Sequence, residues 1–346
     1  MSEEQFRNKI IWFSFAFSLL VVWVHSYNAE LYLGLTIEMA QIYRAEHRIG
    51  DWIGQIAVPG FFMISAYLFY RDFTWKKLKG KWTRRINSVL VPFILWNTIY
   101  YLGYVIGSRL PWVADVVGKG IIPFTLPALV DAIMHYTYNY VFWYLFQLIL
   151  LILLAPVLYP VLKCVWSRIV FLAALWGLAI CGLRLPLVNV DALIYYATAA
   201  SFALAGQKER ARRPVEAAGS PSRAAVGLSL IVLAACAYCM GLRRAFAPCF
   251  ILCRLFAVAG LWLIVPGQRL PQAKEFMRYN FFLYATHFAF VRFINKAGAM
   301  LFAATWQGTF LIYLLMPFLV LGISTVLGRV LRKCCPSIWN IINGRR

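Results

Sequence analysis

Two histidines lie in apolar stretches of this chain, where a side chain that gains and loses protons is unexpected. His25 ends the first apolar stretch, and His287 lies in a late one, three residues after Tyr284. Imidazole titrates near neutral pH, so it can take a proton from a hydroxyl group and return it, as general acid–base catalysis requires. His25 is therefore a candidate general base. The alternative is a histidine that bonds a neighbouring helix or reaches the membrane interface.

Serines precede His25 at helical spacing. A helix turns about 100° per residue, which places Ser14, Ser18 and His25 within roughly 40° of one another. Polar groups in a membrane-spanning helix must face protein or water, because lipid cannot satisfy them. The spacing predicts one polar face that ends at His25.

The late histidine has a tyrosine on its own face. Tyr284 and His287 are one helical turn apart in the sequence. They form either a buried structural pair or part of the wall of a substrate cavity. An aromatic run that includes Trp143 and Tyr144 opens another apolar stretch; it fits a membrane-interface belt, and its rings could also stack on a sugar.

A dense basic run at 71–85 ends with Arg84 and Arg85. Its default role is to fix membrane orientation and to contact anionic lipid. Guanidinium groups also pair phosphate oxygens in a bidentate geometry. Binding of a phosphate-rich donor from the cytoplasm is the alternative role of this run.

The composition of the chain indicates an integral membrane protein. Of 346 residues, 62% are hydrophobic and 14% are charged, whereas soluble domains have about 25% charged residues. The formal net charge of +21 fits basic cytoplasmic loops, and no basic-aromatic nucleic-acid motif accompanies it. Cys236-x-x-Cys239 has metal-binding spacing, but no second pair completes a site, so no metal is predicted.

The apolar stretches predict an all-α, polytopic membrane protein with about ten transmembrane helices. They lie near 10–28, 53–70, 86–107, 141–162, 168–184, 191–207, 224–242, 247–265, 279–296 and 307–328. We expect one domain over 1–346, with a cytoplasmic hinge near 208–223. The prolines of 110–140 indicate short re-entrant or interfacial pieces in that connection.

Lysine and arginine collect on alternate connections. This pattern predicts that both termini are cytoplasmic and that His25 lies near the outer face.

Five segments, in order along the chain, resemble acyltransferase family 3, the polytopic membrane acyltransferases that modify cell-surface glycans and related acceptors. The similar segments are Leu20-Val-Val-Trp-Val-His25-Ser, Pro59-Gly-Phe-Phe-Met-Ile-Ser65-Ala-Tyr-Leu, Arg84-Arg85 with Val91-Pro92-Phe93 and Trp96, Phe142-Trp143-Tyr144-Leu145 with Leu154-Ala155-Pro156, and Phe282-Leu283-Tyr284-Ala-Thr-His287. In the family, an arginine precedes the transfer histidine by ten intervening residues. Ser14 stands at that arginine position here, and the family's serine-glycine pair reads Ser65-Ala66.

The resemblance implies a fold of about ten helices and transfer of an acyl group, usually acetyl, from cytoplasmic acyl-CoA to an acceptor at the outer face. It implies His25 as the catalytic residue, with Arg84, Arg85 and Ser14 at the donor. The residues expected to line the cavity are Ser65, Trp143, Tyr144, Tyr284 and His287.

The resulting hypothesis is a membrane O-acyltransferase that acts on a hydroxyl of a cell-envelope carbohydrate. Acyl-CoA is its co-substrate and no cofactor is permanently bound. Its partners are a glycan or glycolipid acceptor and membrane lipids, without nucleic acid, in a bacterial-type inner membrane. The alternative is a non-catalytic translocator or sensor on the same scaffold.

Overall fold

The computed structural model describes residues 2–207, 221–301 and 305–345. These residues form helices and turns, with no β-strand among them, which confirms the all-α fold class. Most of the predicted hinge near 208–223 lies outside the described residues. The α-helices, in chain order, are α1 (Glu3–Val24), α2 (Ala29–Leu33), α3 (Ile37–Trp52), α4 (Ala57–Tyr70), α5 (Leu78–Arg85), α6 (Val91–Gly107), α7 (Pro111–Val117), α8 (Leu126–Met134), α9 (Trp143–Leu153), α10 (Ala155–Lys163), α11 (Val165–Ile180), α12 (Val190–Ala205), α13 (Pro221–Arg244), α14 (Ala247–Ile264), α15 (Asn280–Leu301), α16 (Trp306–Cys334) and α17 (Pro336–Ile342).

Six helical stretches of the described residues are long and apolar enough to cross a membrane, and seven if one bent pair counts as a single span. The six are Glu3–Leu33, Ile37–Tyr70, Trp75–Gly107, Arg223–Arg244, Ala247–Ile264 and Trp306–Cys334. The protein is therefore a multi-pass membrane protein.

The expected count of about ten spans is not confirmed, although a helix covers most of each predicted stretch. Helices α11 and α12 have 16 residues each, whereas a bilayer needs about 20. Helix α15 has 22 residues, but His287, Arg292 and Lys296 reduce its apolar character. Helices α11 and α12 are therefore too short to count as apolar spans, and α15 is long enough but too polar.

The bent pair joins Tyr140–Leu153 to Ala155–Lys163 at an angle of 65°. Pro156 lies in the first turn of the second helix. Proline has no backbone N–H and its ring clashes with the carbonyl four residues earlier, so a helix cannot run straight through it. The apolar pattern at 141–162 predicted this segment as one span and did not predict its bend.

The 110–140 connection contains two short helices, α7 and α8. Pro111 and Pro127 occupy the first turns of these helices, where the missing N–H is tolerated. The Thr125 hydroxyl caps α8 by accepting a hydrogen bond from the Ala128 amide at 3.4 Å. The short pieces expected from the prolines are therefore present.

The described chain divides into two compact units, which the following paragraphs treat separately; the expectation of one domain over 1–346 stays a prediction. Unit 1 contains Met1–Phe17, Trp52–Lys81 and Leu150–Met277. Unit 2 contains Ser18–Asp51, Trp82–Ile149 and Arg278–Arg346. Each unit combines segments that are distant in sequence.

Unit 1 contains a closely packed pair formed by α13 and α14. A Cβ on Gly260 would lie 2.8 Å from the Gly227 carbonyl oxygen, and a Cβ on Gly227 would lie 3.0 Å from the Gly260 carbonyl oxygen. Small residues allow helix backbones to approach this closely, which favours association within a membrane. The two glycines therefore permit the close approach of the two helices.

Unit 2 has an apolar core built from α1, α15 and α16. Its fully buried members are Val22, Leu283, Val291, Met316 and Val320. The C-terminal helix α17 also belongs to this unit, where the Trp96 indole N–H donates to the Ile342 carbonyl at 2.9 Å. The core thus fixes the end of α1, just before His25, and α15, which carries His287.

We predict that Gly260→Ala lowers the free energy of unfolding by about 1–3 kcal/mol, because the new methyl group forces α13 and α14 apart. The measurement is the thermal unfolding midpoint in detergent. Gly177→Ala is the matched control, since no atom lies within 4 Å of a Cβ at Gly177. A midpoint for Gly260→Ala equal to that of the control would contradict the close packing.

Candidate active site

His25 is the first residue after α1, within a tight turn. Helix α1 ends at Val24, and the His25 amide donates to the Val22 carbonyl at 3.1 Å. The Ser26 hydroxyl also donates to that carbonyl, at 2.5 Å. The first span was expected to continue to residue 28; instead, the capped Val22 carbonyl ends the helix and places the imidazole on a turn.

Packing within unit 2 anchors the helix end that carries His25. Val22 is fully buried in the core of the unit. The Trp23 indole N–H donates to the Leu314 carbonyl of α16 at 3.2 Å. The backbone before His25 is thus attached on two sides, which restricts where its imidazole can lie.

The His25 imidazole is hydrogen-bonded to Tyr140. Nδ1 of His25 lies 2.9 Å from the Tyr140 hydroxyl oxygen. When Nδ1 carries the proton, the tyrosine oxygen accepts the bond and Nε2 has a free lone pair. When the tyrosine donates, Nε2 carries the proton. Tyr140 therefore controls which nitrogen can act as a base.

Tyr284 positions the turn from which Tyr140 projects. The Tyr284 hydroxyl of α15 donates to the Val141 carbonyl at 2.7 Å. The ring of Phe142, the next residue, stacks on the Tyr284 ring at 5.6 Å with an interplanar angle of 9°. One buried tyrosine thus supports the residue that bonds His25.

His287 lies beside His25, with ring centroids 5.3 Å apart. Its Nδ1 is 2.5 Å from the Tyr284 carbonyl oxygen. A carbonyl oxygen can only accept, so Nδ1 carries the proton and Nε2 presents a lone pair in the neutral ring. This Nε2 is buried and has no hydrogen-bond partner in the described part of the chain. The two imidazoles are therefore adjacent, but their Nδ1 atoms bond different partners: a tyrosine hydroxyl for His25 and a backbone carbonyl for His287.

The structure brings four residues from the sequence prediction together in unit 2. Tyr144 packs edge-on against Tyr284 with centroids 5.9 Å apart, and Tyr284 lies 5.7 Å from His287, which contacts His25. Trp143, next in the chain to Tyr144, is half-buried. Tyr144, Tyr284 and His287 are all buried. The expectation that these aromatic residues line a substrate cavity stays a prediction.

The remaining predicted residues lie on other segments. Ser14 on α1 is half-buried and Ser65 on α4 is buried, and both belong to unit 1. In unit 2, Arg84 is exposed and Arg85 half-buried in the last turn of α5. The helix does not end there, because a π-helical turn over Ile86–Leu90 joins α5 to α6. Their predicted roles at the donor stay predictions.

A second feature of unit 2 is a cavity of about 480 Å³ beside the turn that follows His25. Glu46 of α3 is fully buried in its wall. One carboxylate oxygen of Glu46 accepts from the Asn28 amide at 3.2 Å and from the Ala29 amide at 3.4 Å. Three buried polar atoms here have no hydrogen-bond partner among the described residues. They are the second carboxylate oxygen of Glu46, the Asn28 side-chain oxygen and the Tyr27 hydroxyl.

Aromatic rings support the same cavity. Tyr27 and Tyr43 line it, and the His47 ring packs against both, at a centroid distance of 4.1 Å in each case. Polar atoms left unsatisfied in a buried site favour a ligand or water that can complete their hydrogen bonds. The cavity therefore combines two acceptors, one hydroxyl and aromatic faces.

Sequence reasoning did not assign roles to Tyr140 and Glu46. Tyr140 belongs to an aromatic run that also fits a membrane-interface belt. Glu46 lies between Arg44 and Arg48 in a segment of mixed charge, which resembles an exposed connection. The available signal was the rarity of carboxylates in this chain, which has 13 Asp and Glu in 346 residues.

The fold and site define a multi-pass membrane protein with a paired histidine on a turn after its first helix. A protein-family model described as an acyltransferase domain matches residues 13–329. The chain belongs to acyltransferase family 3. No curated protein and no solved structure matches it.

Proposed function

We propose that this chain is a membrane O-acyltransferase that moves an acetyl or other short acyl group from cytoplasmic acyl-CoA to a hydroxyl of a cell-envelope carbohydrate. The observation that carries the proposal is His25, held against Tyr140 after the first helix of a chain from this family. The protein would lie in a bacterial-type inner membrane with both termini cytoplasmic and His25 toward the outer face.

In the proposed mechanism, Nε2 of His25 removes the proton from the acceptor hydroxyl as its oxygen attacks the thioester carbonyl carbon. Collapse of the tetrahedral intermediate breaks the carbon–sulfur bond. The departing thiolate takes the proton from His25, which gives an ester and free CoA. Tyr140 accepts the Nδ1 hydrogen bond and so keeps the lone pair on Nε2.

In the proposed donor site, arginine side chains bind the phosphate groups of acyl-CoA. Arg84 and Arg85 would bind the phosphates of acyl-CoA at the inner mouth, where bidentate guanidinium contacts suit phosphate. Ser14 would contribute a hydrogen bond from the position at which the family resemblance places an arginine. This arrangement divides donor binding and proton transfer between different segments of the chain.

The acceptor site of the proposal is the cavity that contains Glu46. Sugar hydroxyls can donate to the second oxygen of Glu46 and to the Asn28 side-chain oxygen, and can accept from Tyr27. These three atoms belong to residues that line the cavity, and each is buried without a hydrogen-bond partner among the described residues. The Tyr43 ring, which is exposed at the cavity edge, offers a face for stacking. A hydroxyl-rich acceptor matches this combination better than an apolar one does.

We predict that His25→Ala lowers acyl transfer by about 100-fold or more, because the general base is lost. Tyr140→Phe should lower kcat by about fivefold to tenfold and change its pH profile, while the KM for acyl-CoA stays unchanged. The measurements are mass spectrometry of acetyl groups on surface glycan and initial rates with purified protein.

His135→Ala is the control for these variants, since His135 is exposed and bonded to Asp131 at 2.9 Å. It should retain wild-type activity. Unchanged glycan acetylation in a folded His25→Ala protein would overturn the assignment of His25.

We predict that Glu46→Gln raises the KM for the glycan acceptor by about tenfold with little change in the KM for acyl-CoA. The amide still offers one oxygen to the backbone N–H groups but replaces the second acceptor oxygen with a donor. Glu38→Gln, an exposed carboxylate on the same helix, is the control. Equal increases in both KM values would contradict an acceptor role for Glu46.

We predict that Ser14→Arg raises kcat by about tenfold, because it supplies a fixed cation where the family resemblance places one. Ser14→Gln introduces a long side chain without charge and should not raise kcat. Steady-state rates with acetyl-CoA measure both variants. A folded Ser14→Arg protein with reduced activity would show that serine is required at this position.

A further inference from the structure

A lateral groove of about 510 Å³ lies between α6 and α15 in unit 2. Its lining is mainly aromatic and aliphatic, and Arg292 is its one charged member. The lining residues are Trp96, Ile99, Tyr100, Gly103, Tyr104, Val117, Thr286, Phe288, Ala289, Phe290, Arg292 and Phe293. A groove of this composition beside α6, which belongs to the apolar stretch Trp75–Gly107, suits a hydrocarbon chain.

Three cations lie near one end of the groove: Arg292 and Lys119 are beside Tyr104, and Lys296 follows Arg292 by one turn of α15. Arg292 Nη1 donates to the Tyr104 hydroxyl at 2.5 Å. Lys119 Nζ lies 5.6 Å from the Tyr104 ring centroid, and Lys296 Nζ donates to the Asp115 backbone carbonyl at 2.8 Å. Neither lysine forms an ion pair with a carboxylate in the described part of the chain.

Like charges in one region repel one another, and a bound anion would relieve that repulsion. The orientation predicted from the basic loops also places these cations at the outer face, where the positive-inside rule gives them no topological role. A phosphate group would accept hydrogen bonds from all three side chains.

We propose that this groove binds one anionic glycerophospholipid, with its phosphate at Lys119, Arg292 and Lys296 and an acyl chain against Ile99, Phe288 and Phe293. The proposal does not depend on the proposed enzymatic function. The bound lipid would connect α6, α15 and the segment that contains α7.

The groove is also connected to the candidate active site. Phe288 lines the groove and packs edge-on against Tyr140, with centroids 4.8 Å apart. A lipid chain against Phe288 would therefore restrain the tyrosine that bonds His25. Lipid occupancy should stabilise unit 2 by mass action, because the lipid binds the folded state.

The test is native mass spectrometry of the full chain released from mixed vesicles of phosphatidylglycerol and phosphatidylcholine. Wild-type protein should retain one phosphatidylglycerol in preference to phosphatidylcholine. The variant K119Q/R292Q/K296Q removes the headgroup contacts. Gly103→Leu fills the groove while keeping every charge, and no atom lies within 4 Å of a Cβ at Gly103. We expect at least a tenfold loss of bound lipid in each variant.

Two control variants make the result specific. R243Q/R244Q removes cations at the end of α13, and Gly322→Leu adds the same bulk to α16, where a Cβ also meets no atom within 4 Å. Both controls should keep the lipid, and free glycerol phosphate should not displace it.

The remaining outcomes overturn the proposal. Equal retention of the two lipids by wild-type protein would show no headgroup recognition. Loss in only one of the two groove variants would separate headgroup from chain and contradict a single lipid bound through both. Displacement by glycerol phosphate would indicate a site for soluble phosphate instead of a lipid.

Discussion

The hydrogen bond from the Tyr284 hydroxyl to the Val141 carbonyl determines how the candidate site is assembled. It ties α15 to the turn that carries Tyr140, and Tyr140 in turn bonds the His25 imidazole. The carbonyl of the same tyrosine fixes the tautomer of His287. In a membrane interior, a lost hydrogen bond of this kind leaves buried groups unsatisfied at a cost of about 1–3 kcal/mol. One buried residue thus sets the position of three polar side chains.

Much of this arrangement follows from patterns in the sequence. The apolar stretches gave the helices of an all-α membrane protein, and the spacing of Tyr284 and His287 placed them on one face. The prolines of the 110–140 segment indicated its short helices. These features depend on local chemistry, namely hydrophobic periodicity and the backbone limits of proline, which a single sequence displays directly.

Other features depend on contacts between distant segments, which a single sequence does not display. Tyr140 is 115 residues from His25 in the chain, and nothing in its aromatic run distinguished it from its neighbours. Glu46 looked like part of a charged connection because its backbone partners, Asn28 and Ala29, lie 18 and 17 residues earlier in the chain, at the start of α2. The end of α1 at Val24 was missed because the Ser26 cap is a side-chain effect within an apolar pattern. The expected count of about ten spans is not confirmed for a related reason, since short helices and proline bends resemble full spans in composition.

The central claim of the proposed function is that His25 acts as the general base while an acyl group passes from a cytoplasmic donor to a glycan at the opposite membrane face. The direct measurement uses oriented proteoliposomes with radiolabelled acetyl-CoA on the cytoplasmic side of the protein and surface glycan enclosed on the other. The claim predicts labelled acetyl esters on the enclosed glycan with wild-type protein. Intact acetyl-CoA and an unlabelled glycan would contradict the claim. Passage of glycan across the membrane without labelling would contradict it and support a translocator.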